Sequence, residues 1–314
     1  MDNLGKKKQF TFSFDWKFNL MMAITVIVWA LAFPYIKIGL NELSFVNLTI
    51  MRFFIVCLVF IFIIIFGRSK ISKLHKKDII PIFLLGFFGV ISYHLALNYG
   101  EQFISAGAAS LIIATIPIQI LILSIFLLKE KITLKKVLGI IFSFSGVIII
   151  SIWGTQDTSL EINYIFGALA VLFAATMGAF YTIYGKKFLE RYSGFSLTIY
   201  AILFGSIGLI PFVSNSLISE VKNMTYDGWT AIIILGVFST VIGYSIWYIA
   251  LKKKSAVDLS VYLYAIPVLS TIISYQMFED QITFLFIFGG FLVILGLIIV
   301  NLEKRYNNKN KQKN

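Results

Sequence analysis

Reactive and charged side chains are scarce in this 314-residue chain, which has one cysteine, two histidines and only 13% charged residues. The single cysteine, Cys57, excludes an internal disulfide framework. His75 and His94 are too few to build a histidine-rich zinc site, so no metal is expected. The chain has no HExxH, GxSxG, Walker A or GxGxxG pattern. These absences argue against a membrane protease or an ATP-driven pump, and no catalytic residue or cofactor is expected. Soluble domains carry about 25% charged residues. With 59% hydrophobic residues and a mean hydropathy of +0.89, a soluble two-domain protein and a disordered chain are both excluded.

Long runs without charge are abundant. Phe18–Ile36, Ile79–Gly100, Gln102–Leu128, Val137–Gln156, Ile162–Gly185, Tyr192–Ser219, Gly228–Leu251, Leu259–Phe278 and Gln281–Leu302 contain no Asp, Glu, Lys or Arg. Leu43–Gly67 contains one, Arg52. A helix needs about 20 apolar residues to cross a bilayer core. Barrel strands alternate over about 10 residues, so these runs predict ten transmembrane helices. The fold class is an all-α polytopic membrane protein.

The basic residues set the orientation. Counted over ten spans, the N-terminal segment, the loops between spans 2 and 3, 4 and 5, 6 and 7, 8 and 9, and the C-terminal segment hold 24 of the 27 Lys and Arg. The opposite loops hold only Lys222, while Lys37 and Arg52 lie in or near spans. This asymmetry places both termini in the cytoplasm. It also accounts for the net charge of +12 without nucleic acid. Lys6–Lys8 followed by an apolar run resembles the start of a signal peptide. The run is too long and lacks an evident small-residue cleavage site, so it reads as an uncleaved first span.

The chain repeats itself at an offset of 150. Leu85-Gly86, Ser105-Ala106, Pro117, Ile132-Thr133, Gly139 and Gly146 fall on Leu235-Gly236, Ser255-Ala256, Pro267, Ile282-Thr283, Gly289 and Gly296. Earlier matches, at slightly different offsets, pair Ala32-Phe33 with Ala179-Phe180 and Leu48–Ile50 with Leu197–Ile199. The repeat predicts a first unit at 18–153 and a second at 162–302. An N-terminal tail at 1–17, an external linker at 154–161 and a basic tail at 303–314 complete the chain. Five spans per unit is odd, so the second unit enters the membrane from the opposite side. That inverted plan recurs in secondary transporters, with the substrate near the midplane between the halves.

The ordered residues resemble a known family. Trp29–Lys37 resembles the opening Trp-Gly-x-x-Phe-x-x-x-Lys of the EamA-type drug/metabolite transporters, with Ala30 replacing the family glycine. Arg52-Phe53, Tyr99–Gln102, Ser105–Gly107, Pro117 and Lys129–Lys131 resemble its spans 2 to 4. Ala256, Pro267 and Glu279 resemble the second copy. The resemblance covers about residues 18–301. It implies two inverted five-helix repeats and the transport of small metabolites, often amino acids and often outward.

Polar residues inside spans are costly and mark candidate sites. His94, Asn98 and Glu101 share one face of span 3, suited to a substrate amine or hydroxyl or to a proton relay. The bland alternative for His94 is a satisfied histidine at a helix end. Ser110, Thr115 and Gln119 lie in span 4 around Pro117, a kink repeated at Pro267, and Pro34 is a third expected kink. Mid-span aromatics Trp29, Tyr93, Tyr181, Tyr244, Trp247, Tyr248, Tyr262 and Tyr264 suit an apolar wall with hydroxyls, or simple packing. Lys37 either snorkels outward or binds substrate. For Arg52 a structural role, as in a pair with Glu42, is preferred to a substrate carboxylate, and Asp258 reads as a helix cap. The small faces Gly139, Ser143, Gly146 and Gly289, Gly296 predict scaffold contacts for spans 5 and 10.

The expected function is alternating-access transport of small organic metabolites across the plasma membrane, most of all amino acids and in the export direction. Spans 1, 3, 4, 6, 8 and 9 are expected to line the cavity. The expected partners are a small-molecule substrate and the lipid bilayer, with the protein a monomer or weak homodimer. The rivals are a multidrug exporter of lipophilic cations on the same fold and, more remotely, an intramembrane enzyme or sensor.

Overall fold

The computed structural model describes residues 16–66, 71–128, 133–153, 162–254, 256–278 and 282–311. The expected linker at 154–161, most of the N-terminal tail and the family-like residues Lys129–Lys131 and Glu279 lie outside them. Every regular element among the described residues is helical. In lipid, a continuous helix satisfies its own backbone, which is why apolar runs of this length adopt it.

The first half comprises α1 (Trp16–Leu40), α2 (Phe45–Phe66), α3 (Ile79–Gly86), a wide π turn at Phe87–Ser92, α4 (Tyr93–Glu101), α5 (Ala106–Ile113), α6 (Ile116–Leu128) and α7 (Leu134–Trp153). The second half comprises α8 (Ile162–Phe188), α9 (Gly194–Ile207), α10 (Asn215–Lys222), α11 (Tyr226–Ile233), a π stretch at Ile234–Tyr244, α12 (Ser245–Lys253), α13 (Ala256–Leu263), α14 (Ala265–Phe278) and α15 (Phe284–Lys311). Among the described residues, six continuous stretches are long and apolar enough to cross a membrane: Trp16–Leu40, Phe45–Phe66, Lys76–Glu101, Ile162–Phe188, Gly194–Phe212 and Tyr226–Lys253. The protein is therefore a polytopic membrane protein.

Three expectations change in detail. The run 102–128 is two helices, α5 and α6, parted at Ala114-Thr115, and α13 and α14 part correspondingly at Tyr264. Pro117 and Pro267 lie in the first turn of the second helix of each pair. Proline there lacks only an N–H that has no helical acceptor, so it starts a helix instead of kinking one. Pro34 lies within α1, which continues through it. The run Tyr192–Ser219 divides as well. Ser193 caps α9 by accepting from the Ser196 amide at 3.1 Å, a tight turn at Ile210–Phe212 follows, and α10 is separate.

The two halves pack by exchange. α4 packs on α8, and α12 with its π stretch packs on α1. α3 packs on α9, and α11 with the same π stretch packs on α2. α14 packs on α1, while α5 and α6 pack on α8. Each pairing recurs with the halves swapped, as a two-fold relation between repeats requires. α7 and α15 pair with each other. A Cβ on Gly146 would meet the Gly289 carbonyl at 2.4 Å, and one on Gly296 would meet that of Gly139 at 2.4 Å. Ser143 donates to the Val293 carbonyl at 3.0 Å. Each small face thus covers the other.

Polar ties join the halves at both ends. At the basic end Arg191 pairs with Asp78 at 2.9 Å, and Tyr192 donates to the same carboxylate at 2.8 Å. At the other end Glu42 accepts from the Thr225 amide at 2.6 Å and from its hydroxyl. Glu220 accepts from the Ser44 amide at 2.9 Å.

Candidate functional site

A cavity lies between the halves, with about 810 Å³ of empty space that includes its opening to solvent. Trp29, Ala32, Phe33 and Ile36 come from α1, Arg52 from α2, and Tyr93, His94 and Leu97 from α4. Ser110, Ile113, Ala114 and Ile116 come from the broken α5–α6 pair. Gly178, Tyr181 and Thr182 come from α8, Tyr244 and Trp247 from the second π stretch and α12, and Leu263 and Ile266 from α13 and α14. Both π segments abut it, since His94 follows the first and Tyr244 ends the second. Such widened turns are frequent at functional sites because they re-aim side chains.

The aromatic wall is held by specific contacts. The Trp29 indole donates to the Ser239 carbonyl at 3.0 Å. Its ring meets Tyr244 edge-on at 5.6 Å and Trp247 at 5.4 Å. Tyr181 meets Tyr244 at 5.7 Å. The Tyr244 hydroxyl and His94 Nε2 share a hydrogen bond of 3.1 Å. His94 also packs against Phe53 and Tyr93 at 4.9 and 4.7 Å. The buried Tyr181 hydroxyl has no hydrogen-bond partner among the described residues.

Among the described residues, Arg52 is the one charged residue in the cavity wall. It is 2% exposed, and its Nε donates to Thr240 Oγ1 at 2.9 Å. Thr240 in turn donates to the Leu235 carbonyl at 2.8 Å within the π stretch. Among the described residues this is the only hydrogen bond recorded for the guanidinium, and no carboxylate lines the cavity. The expected partner Glu42 is instead held by Thr225.

Of the sequence candidates, Trp29, Tyr93, His94, Ser110, Tyr181, Tyr244 and Trp247 come together in the wall. Ser110 donates to the Gly107 carbonyl at 2.7 Å. The others lie outside it. Tyr248 supports the wall from behind, donating to the Tyr181 carbonyl at 3.0 Å. Asn98 is buried and donates to Thr49 at 2.8 Å. Thr115 is turned onto its own helix, donating to the Ile112 carbonyl at 2.7 Å. Gln119 is buried in α6 and Lys37 is half-buried in the last turn of α1. Tyr262 donates to Asn19 at 2.5 Å and packs on Phe18. Tyr264 is half-buried at the α13–α14 break. The Asp258 side chain lies outside the described residues. Nothing in the sequence singles out Phe33, Gly178 and Thr182 as cavity residues, and Arg52 enters the wall where a structural role is expected. The sequence signal for Arg52 is depth, because a cation two turns inside a span is too far in to snorkel.

The EamA-like transporter family matches residues 16–152 and again 165–302. The chain belongs to the EamA-like transporter family. Among its relatives is an uncharacterized transporter of Archaeoglobus fulgidus, 40% identical over 90% of this chain and 97% of its own length. The uncharacterized transporter YdfC of Bacillus subtilis is 30% identical over 91% and 92%. A probable terminal-alkyne amino-acid exporter of Streptantibioticus cattleyicolor is 27% identical over 89% and 92%. A crystal structure at 20% identity covers 92% of this chain and 98% of its own, with a TM-score of 0.61, and shares the fold. This EamA-like protein is a membrane transporter.

Proposed function

We propose that this transporter carries small metabolites with a carboxylate and an apolar body, amino acids above all, outward across the plasma membrane. The repeats at 18–153 and 162–302 rock about the central cavity, with both termini in the cytoplasm. The observation that carries this reading is Arg52. Thr240 is the one hydrogen-bond partner recorded for the guanidinium among the described residues, so donors remain free, and a planar carboxylate fits its fork in two parallel bonds. Trp29, Tyr93, Tyr244 and Trp247 offer ring faces to a substrate ammonium and apolar surface to its side chain.

The same charge disfavours lipophilic cations. A second cation roughly 4 Å from the guanidinium costs about 4 kcal/mol at an effective dielectric near 20. The name of the Streptantibioticus relative supports both the amino-acid class and the outward direction.

Counterflow with purified protein in liposomes tests the reading. Saturable exchange is expected for some members of a labelled amino-acid panel, competed by other carboxylates and not by tetraphenylphosphonium. Arg52→Gln raises the half-saturation concentration about 10- to 100-fold, the equivalent of one lost charged hydrogen-bonding partner. Competition by tetraphenylphosphonium without exchange of any amino acid would reverse the assignment in favour of drug export.

A further inference from the structure

Glu101 ends α4 with its side chain fully buried, and neither carboxylate oxygen accepts a hydrogen bond among the described residues. Asp78, likewise buried, is instead held by Arg191 and Tyr192. A buried carboxylate without donors is costly to keep ionised, and a proton removes that cost. Lys37 stands in the last turn of α1 and Arg52 on α2, both helices that pack against α4; Asn98, one turn before Glu101, donates to Thr49, one turn before Arg52.

On the same face of α4, one and two turns back, Asn98 Oδ1 and His94 Nδ1 are also buried without partners among the described residues. The stripe begins in the cavity wall at His94 and ends beyond it at Glu101. Other elements packed against α4 are α5, α8 and the first π turn. α5 and the π turn contain no titratable side chain. From α8, Tyr164 donates to the Ile150 carbonyl and Tyr181 faces Tyr244. α4 itself adds Tyr93 and Tyr99, and Tyr244 of the second π stretch contacts His94.

We propose that Glu101 binds and releases a proton during transport, and that a carboxylate in the cavity promotes its protonation. The linkage rests on the assignment of Arg52 to the substrate carboxylate. With the cavity empty, Lys37 and Arg52 both stabilise the Glu101 carboxylate. A substrate carboxylate on Arg52 neutralises one of these two cations, so Glu101 takes up a solvent proton as substrate binds. By reciprocity, acidic pH tightens substrate binding. Substrate and proton then travel together. Net export runs when the outward substrate gradient exceeds the inward proton gradient, which makes the carrier a relief valve for accumulated metabolite.

Two measurements on the purified full-length protein test this. Infrared difference spectra between acidic and alkaline buffer, with no substrate present, should show a protonated-carboxyl stretch that is absent from Glu101→Gln. An identical spectrum in the variant overturns proton binding at Glu101, whatever the protein carries. In liposomes, a pH gradient of one unit should concentrate labelled leucine up to about tenfold if one proton accompanies each molecule. Glu101→Gln should abolish the accumulation and remove the pH dependence of whatever leucine counterflow remains. Wild-type counterflow with no response to the pH gradient overturns the linkage. Failure of the whole amino-acid panel in wild-type counterflow overturns the amino-acid assignment and with it the linkage, while the infrared result still decides proton binding at Glu101.

Discussion

His94 and Tyr244 stand 150 residues apart, at matching positions of the two repeats, and their side chains meet at 3.1 Å. The sequence offered both as polar groups on mid-span faces, and the repeat offset relates them. The two-fold packing turns that offset into a contact. Tyr244→Phe removes this bond while keeping the ring stack with Trp29. It is expected to cost about 0.5–1.5 kcal/mol of stability, read as a small fall in melting temperature in detergent. Gly89 is a sharper case. A Cβ there would lie 2.1 Å from the Tyr181 ring. Gly89→Ala must push that ring toward the cavity, so it should raise the half-saturation concentration for phenylalanine more than for alanine in counterflow. Equal effects on both would show that the ring moves elsewhere. Thr115 and Gln119 were legible as polar but not by direction, because Thr115 stands at the break and turns its hydroxyl back onto the Ile112 carbonyl of α5, while Gln119 is buried within α6.

At the scale of elements, the recurrence of breaks and π turns at the same offset marks the two repeats more clearly than residue identity does. Ala114 and Tyr264, where the paired helices part, share no chemistry, yet both precede a first-turn proline by three residues. Hydropathy alone reads each of these regions as one span, because a helix break in a charge-free run leaves composition unchanged. α7 and α15 behave differently, since their glycine spacing stated in advance that two backbones approach closely. Gly146→Leu is expected to force them apart at a cost of about 1–3 kcal/mol. These helices line none of the cavity. The variant should therefore melt lower while its half-saturation concentration for exchange stays unchanged. A large change in that value would instead tie the α7–α15 pair to the transport movement.

For the whole molecule, the charge asymmetry predicts orientation. In a Cys57→Ser background, Lys222→Cys should react with a membrane-impermeant maleimide in intact cells. Lys187→Cys should react only after permeabilisation. Both positions are exposed, and the reverse labelling would invert the topology and the direction of every gradient argument. Membrane residence, helical class and the twofold repeat were settled by sequence, because each depends on quantities summed over long stretches: apolar length, loop charge and recurrence at a fixed offset. The cavity was settled only by tertiary structure. Arg52 gains its meaning from Thr240, 188 positions away, and from the absence of any carboxylate in the wall around it among the described residues. The Glu42 that sequence proximity suggested as its partner is taken by Thr225 across the repeat interface. Which polar groups share a space depends on how two separately encoded halves dock, and the order of residues along either half does not contain that.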